Sequence, residues 1–290
     1  MVIYSPSSRV EYSFCPRKWW LRKNGWITRT VGYPELCGMG GTAVSEAMAH
    51  FNKSIISQRK ATLEECVALG LQSLVQQHAE LELQERRVLG LRDSEFRDTL
   101  PKLVEVAIRT LWEADPLKGH TLIAAEHEFV EFGNARPDVI SRDLMGELCV
   151  DDYKCKFSTF DEAWLDKEFE KYFDGEQRLS YSHMTNSRLF GIILVVIQPH
   201  SKRKPLKPFV IRRTSRVQDH ELSLFMNDSV IDYKYMEHTL RQTNPLMVPG
   251  KAAPHADQYG DCPFRQACVE DGLDTSKMKV RYTQIMEAAK

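Results

Sequence analysis

Apolar spacing divides the chain into a helical first third and a mixed remainder. A first helix runs to about Lys23, with Ser7 or Ser8 as its cap. Gly40, Gly41 and Thr42 open a second, which carries Val44, Met48 and Phe51 on one face. Thr62-Leu63-Glu64-Glu65 reads as a capping box for a third helix that continues towards Arg87, and a fourth spans Asp93 to Glu113. After residue 115 the period shortens. Thr121 to Phe132, Pro137 to Ser141 and Glu147 to Lys154 read as strands, with a tight turn at Arg142 to Gly146. A helical stretch from Asp161 to Asn186 follows, then an apolar strand at Leu189 to Ile197, an edge strand at Lys207 to Arg213 and a long helix from Ser215 to Gln242. From Asn244 the chain is rich in Pro and Gly until a small cysteine-bearing turn at Asp261 to Cys268. This order predicts an α/β core, a mixed central sheet flanked by helices, with a helical insertion near the N-terminus.

Composition changes this picture little. The 290 residues are 42% hydrophobic and 27% charged, as in an ordinary globular protein. The longest apolar run, Gly191 to Ile197, is far short of the roughly 20 residues a membrane span needs. Met1 to Tyr12 lacks the basic-then-apolar order of a secretory signal, and seven cysteines without an even framework suit a reducing compartment, so a cytoplasmic protein is expected. Net charge is −1, which announces no nucleic-acid binder, but positive charge gathers locally. Arg17, Lys18, Arg22, Lys23 and Arg29 sit among Trp19, Trp20 and Trp26, a mixture suited to single-stranded nucleic acid and equally to a solvated face. Lys202, Arg203, Lys204, Lys207, Arg212, Arg213 and Arg216 form a second basic stretch.

The chemistry concentrates in Arg136-Pro137-Asp138-Val139-Ile140 and Val150-Asp151-Asp152-Tyr153-Lys154. Asp152 and Lys154 are two apart on a strand and point to one face, and Asp138 on the preceding strand can lie beside them. Two carboxylates and a backbone carbonyl make a hard oxygen site suited to Mg²⁺ or Mn²⁺. A lysine there can orient or deprotonate an attacking water and neutralise charge developing on phosphate. An isolated Asp-x-Lys occurs by chance, and its ordinary meaning is a cross-strand ion pair. There is no P-loop, no G-x-S-x-G and no H-E-x-x-H, and the nine histidines show no paired ligand spacing.

Six short motifs in one order give the segment further meaning. They are Ser5 to Lys18 ending in Cys15-Pro16, Gly41 to Glu46, Glu126 twelve residues before Asp138, Asp152-Tyr153-Lys154, Gln177 to Tyr181, and the Cys262/Cys268 pair. Together they resemble the RecB-like exonucleases of the PD-(D/E)xK nuclease superfamily, including CRISPR-associated and phage-borne members. The resemblance implies a restriction-endonuclease-like core in a single nuclease domain over residues 1–290. A helical insertion or arch would span 25–118, and a cysteine-bearing segment, 244–290, would pack on the N-terminal helix. It implies that Asp138, Asp152 and the Tyr153 carbonyl hold the metal and that Glu126 reaches a second one. Lys154 would handle the nucleophilic water, with Gln177 and Tyr181 contacting phosphate or positioning Lys154.

The chain departs from the family pattern twice. Ser45 stands where the family carries a histidine ligand, and His50 points elsewhere on the helix. Tyr259 stands where the iron–sulfur version has a fourth cysteine, so Cys15, Cys262 and Cys268 are one ligand short of a cubane cluster. His255 or Cys37 could complete a zinc site, and leftover thiols are the plain alternative. The function implied is a Mg²⁺- or Mn²⁺-dependent deoxyribonuclease, an exonuclease acting on DNA ends or single strands, with a helicase or recombination protein as partner. A catalytically weakened DNA-binding or recruitment subunit is the alternative from another class, and a sequence-specific endonuclease a third.

Overall fold

In the computed structural model, residues 6–129, 135–158, 162–198, 208–250, 256–257, 260–270, 272–279 and 281–284 are described. The first predicted helix is two: α1 (Pro6–Phe14) and α2 (Pro16–Lys23). Ser7 and Ser8 therefore lie inside α1 and not at its cap position, because the helix starts at Pro6, whose fixed φ suits a first turn. The break falls at Cys15, held extended (φ −161°, ψ 105°) by the proline that follows it. Short strands β1 (Trp26–Thr28) and β2 (Thr30–Val31) lead to α3 (Tyr33–Ile56). This helix opens at Tyr33-Pro34, not at the glycines. Gly40 sits within it where a Cβ would meet Phe157 at 2.7 Å and Leu100 at 2.8 Å, so its lack of a side chain serves close packing. The Thr62–Glu65 capping box is formed, with Glu65 N donating to Thr62 Oγ1 (3.2 Å) and Thr62 N to Glu65 Oε2 (2.7 Å). It starts α4 (Leu63–Leu83), and β3 (Arg87–Val88) and α5 (Leu91–Ala114) follow.

The central sheet comprises β4 (Thr121–Ala125), β5 (Val139–Arg142), β6 (Leu148–Phe157), β7 (Leu189–Ile197) and β8 (Phe209–Arg216), in that spatial order. Only β6 and β7 are parallel; the other three pairings are antiparallel. The β5–β6 turn is tight because Gly146 adopts φ +80° and Asp143 Oδ1 accepts from the amides of Met145 and Glu147, both at 2.9 Å. The parallel pair requires a crossover, supplied by α6 (Glu162–Phe173) and α7 (Glu176–Thr185). The single helical stretch expected over this region is split because Gly175 takes an extended conformation (φ −75°, ψ 147°) as the N-cap of α7. Helix α8 (Asp219–Leu240) follows the sheet.

Alternation along β6 sorts the core into layers. Val139, Tyr153, Phe157, Ile193 and Val195 pack under α3, α4 and α5. Ile140, Val150, Phe190, Ile192 and Leu194 pack on the other face, with Phe169 of α6 and Tyr181 of α7. A third core lies at the chain ends, where Trp19, Trp20 and Trp26 pack with Met236, Val248, Phe264 and Tyr282. There β1 pairs with β9 (Tyr282–Gln284). This burial corrects the single-strand-binding expectation for the basic aromatic segment. The three tryptophans are 0, 5 and 4% exposed and cannot stack on bases. Lys18 and Arg22 both pair with Glu11. In the second basic stretch Arg212, Arg213 and Arg216 pair with Asp151, Asp166 and Glu147, while Lys202, Arg203, Lys204 and Lys207 lie outside the described residues. No helix among the described residues is long and apolar enough to cross a membrane.

Candidate active site

The sheet register brings the two aspartates together. Val139 pairs with Asp151 at the end of the β5–β6 ladder, so Asp138, one residue further out, comes level with Asp152. Asp138 Oδ2 accepts from the Tyr153 amide at 2.6 Å and its carbonyl accepts from the Glu126 amide at 3.1 Å. Asp152 and Lys154 point from β6 towards α7, and Tyr153 points the other way, where Asn52 of α3 donates to its hydroxyl at 3.3 Å. Ser45 also lies on α3 and is half-buried, within the helical layer over the face opposite Asp152 and Lys154.

Gln177 is the centre of the polar network. Its Oε1 accepts from Lys154 Nζ (3.2 Å), and its Nε2 donates to Asp152 Oδ1 (3.1 Å) and to the Tyr181 hydroxyl (3.0 Å). That hydroxyl donates to the Arg136 carbonyl at 3.1 Å. Lys154 forms an ion pair with Asp152 Oδ2. One turn of α7 thus links β6 to the segment entering β5, as the four-residue spacing of Gln177 and Tyr181 permits. The helix is anchored from behind by Arg178, which pairs with Glu221 of α8 at 2.5 Å.

Three features of this site were not visible in the sequence reading. Lys156, two residues beyond Lys154, shares its face; both ammonium groups lie over the Tyr172 ring, at 5.6 and 5.5 Å. The period of two was the available signal, but Tyr172 required knowledge of how α6 docks. Arg136 meets Glu126, with Nε 2.5 Å from Oε2. On the reverse face Arg212 holds the buried Asp151 carboxylate through two contacts, 2.7 and 3.1 Å, so the two adjacent aspartates of β6 have different surroundings. That side also carries a cavity of about 150 Å³ between α3 and the α5–β4 connection, lined in part by Phe51, Asn52, His120 and Tyr153.

The electrostatics favour a cation at the acid pair. Burial, and then the neighbouring Asp152 carboxylate, hold the Asp138 carboxyl well above the usual carboxylate range, against the opposing pull of Lys154 and the Tyr153 amide. Asp152 Oδ2 is buried and lies against the Lys154 ammonium. Two crowded carboxylates of this kind are hard oxygen donors that fit Mg²⁺ or Mn²⁺ in type. Glu126 is occupied by Arg136, and among the described residues no group of three or more His, Cys, Asp or Glu is arranged to hold a metal ion.

Cys262 and Cys268 pack against the core at the chain ends. Cys262 and Cys268 each feel the charge of Cys15, so the three share one end of the molecule. Burial pushes the Cys262 and Cys268 thiols above their ordinary value. The three are not arranged as a metal-holding set, and His255 and Tyr259 lie outside the described residues. Cys37 is elsewhere, beside Tyr33 in the α3 core, its thiol raised by burial to about 11.

A family model described as the PD-(D/E)XK nuclease superfamily matches residues 3–269. No curated protein matches the chain. Among solved structures, the alkaline exonuclease LHK-Exo from Laribacter hongkongensis is 14% identical, with 76% of this chain and 93% of that one covered at a TM-score of 0.28. LHK-Exo in complex with dAMP gives 14% identity, 71 and 92% coverage and a TM-score of 0.30. A candidate exonuclease from Eubacterium rectale gives 11%, 82 and 81%, and 0.36. All three are distant likenesses.

Proposed function

Because the chain belongs to the PD-(D/E)XK nuclease superfamily, we propose that it is a Mg²⁺- or Mn²⁺-dependent deoxyribonuclease acting as an exonuclease on DNA ends or single strands. The observation that carries this reading is the convergence of Asp138, Asp152 and Lys154 on one sheet face around Gln177. Water adds to phosphorus, the bond to one sugar oxygen breaks, and that oxygen leaves as a hydroxyl. Asp138 and Asp152 would hold the cation, with the Tyr153 carbonyl as a further oxygen and Glu126 reaching a second ion. A divalent cation there supplies Lewis-acid stabilisation of the charge developing on phosphate.

The remaining roles belong to side chains. Lys154, fixed between Asp152 and Gln177, orients the attacking water and balances charge on the phosphate. Gln177 positions Lys154, and Tyr181 fixes Gln177 against the Arg136 carbonyl. Such a protein works in the cytoplasm beside a helicase or recombination protein. The test is degradation of labelled linear DNA with Mn²⁺ and with EDTA, set against circular, single-stranded and end-blocked substrates. Loss of linear or single-stranded DNA while circular duplex and end-blocked DNA persist, dependent on the cation and on Lys154, supports the exonuclease reading. Salt-sensitive DNA binding without cleavage in either cation refutes it and favours a recruitment subunit that keeps the nuclease fold.

A further inference from the structure

Glu126 ends β4 and Arg136 leads into β5, and the backbone of each is tied to the site. Glu126 donates its amide to the Asp138 carbonyl, and Arg136 accepts the Tyr181 hydroxyl at its own carbonyl. Glu126 is held at φ +52°, a left-handed conformation uncommon for a residue with a side chain. The two side chains differ in freedom. That of Glu126 is 12% exposed, and that of Arg136, 61% exposed, reaches it from the solvent side. Among the described residues Glu126 is the one ion partner of Arg136. Glu126 lies close enough to the acid pair for its charge to be felt by Asp138 and by Tyr181. An acidic group beside the acid pair is thus paired with a solvent-exposed basic group.

A guanidinium offers five donors in a planar fork that matches a phosphate as well as a carboxylate. The phosphate backbone of DNA is the anion that reaches this site from solvent, and Arg136 can turn to it while Glu126 stays in place. We propose that Arg136 exchanges Glu126 for a backbone phosphate of the bound DNA, and that the exchange releases Glu126 to the Asp138–Asp152 pair. DNA and cation then bind cooperatively, because each removes an obstacle to the other. This rests on the acid pair being the cation site, as in the function proposed above.

The test uses the whole protein, a single-stranded phosphorothioate oligonucleotide that resists cleavage, and Mn²⁺. Oligonucleotide affinity is measured in EDTA over a salt series, and Mn²⁺ affinity by calorimetry with and without oligonucleotide. Arg136→Gln should reduce the slope of log affinity against log salt by about 0.7, the release expected for one single-strand phosphate contact. In wild type the oligonucleotide should tighten Mn²⁺ binding roughly fivefold or more, as typical coupling between sites does. Without DNA, Arg136→Gln should already bind Mn²⁺ more tightly than wild type, and the oligonucleotide should add little. Glu126→Gln should keep the wild-type salt slope and lose the coupling. An unchanged slope in Arg136→Gln, or identical DNA-free Mn²⁺ affinity in Arg136→Gln and wild type, overturns the exchange. The double variant Asp138→Asn/Asp152→Asn separates the two ideas. If it binds Mn²⁺ as wild type does, the acid-pair site has failed and the exchange with it. If its Mn²⁺ binding is lost while Arg136→Gln changes nothing, only the exchange has failed.

Discussion

Replacing Gly191 with alanine puts a methyl carbon 1.9 Å from Asp151 Oδ1 and 2.8 Å from its Cγ. Both residues lie in the middle of the parallel β6–β7 ladder, paired in register, so neither backbone can retreat. The carboxylate must move instead, away from Arg212, which reaches it from β8 through Nε at 2.7 Å and Nη2 at 3.1 Å. Asp151 has no exposed side-chain surface and Arg212 is 20% exposed. Breaking a buried pair by removing one partner costs about 3–5 kcal/mol, and displacing the carboxylate from a partly exposed Arg212 corresponds to the lower end, ~3 kcal/mol. At roughly 2–4 °C per kcal/mol for a chain of this size, the melting temperature should fall by about 6–12 °C. Thermal unfolding followed by circular dichroism measures this. The decisive comparison is made in an Asp151→Ala background, where the clashing carboxylate is gone. There Gly191→Ala should cost less than about 1 kcal/mol, the non-additivity expected of residues in contact. Equal cost in both backgrounds would refute the reasoning, since the penalty would then lie in the strand and not in the ion pair.

Lys154→Ala should reduce cleavage of linear DNA by about 10²- to 10⁴-fold with the melting temperature little changed, the range for losing a group that handles a proton; cleavage at the wild-type rate would remove Lys154 from the chemistry. Tyr181→Phe removes the hydroxyl that joins the Arg136 carbonyl to the Gln177 amide through two part-buried bonds, so urea unfolding should show a loss of about 1 kcal/mol. Asp138 is raised above its ordinary value, so cation-free protein binds this proton more tightly folded than unfolded. That contribution is fully present below the usual carboxylate pKa and disappears as pH rises through the raised one, so acidification across that window should stabilise wild type relative to Asp138→Asn, by urea midpoint.

The sequence by itself placed most of the elements and the residues that meet where the carboxylates gather. The period-two pattern of β6 put Asp152 and Lys154 on one face, the four-residue spacing on α7 put Gln177 and Tyr181 on another, and the Thr62–Glu65 capping box was readable because its partners are three residues apart. These signals are local, and local geometry repeats with fixed periods. The aromatic, basic segment at residues 17–29 shows where such reading stops: its composition suited a surface, and only the docking of the C-terminal residues around Trp19, Trp20 and Trp26 made it a core. In the same way, sequence could not separate Asp151 from Asp152. Arg212 lies 61 residues from the one and Gln177 25 from the other, and which carboxylate receives a permanent arginine depends on how strands and helices stack. The Arg136–Glu126 contact, the Tyr172 ring beside two lysines and the close approach of Asp151 to Gly191 have the same origin. Each is a contact between elements whose separation along the chain carries no period, and tertiary packing alone brings them within a few ångströms.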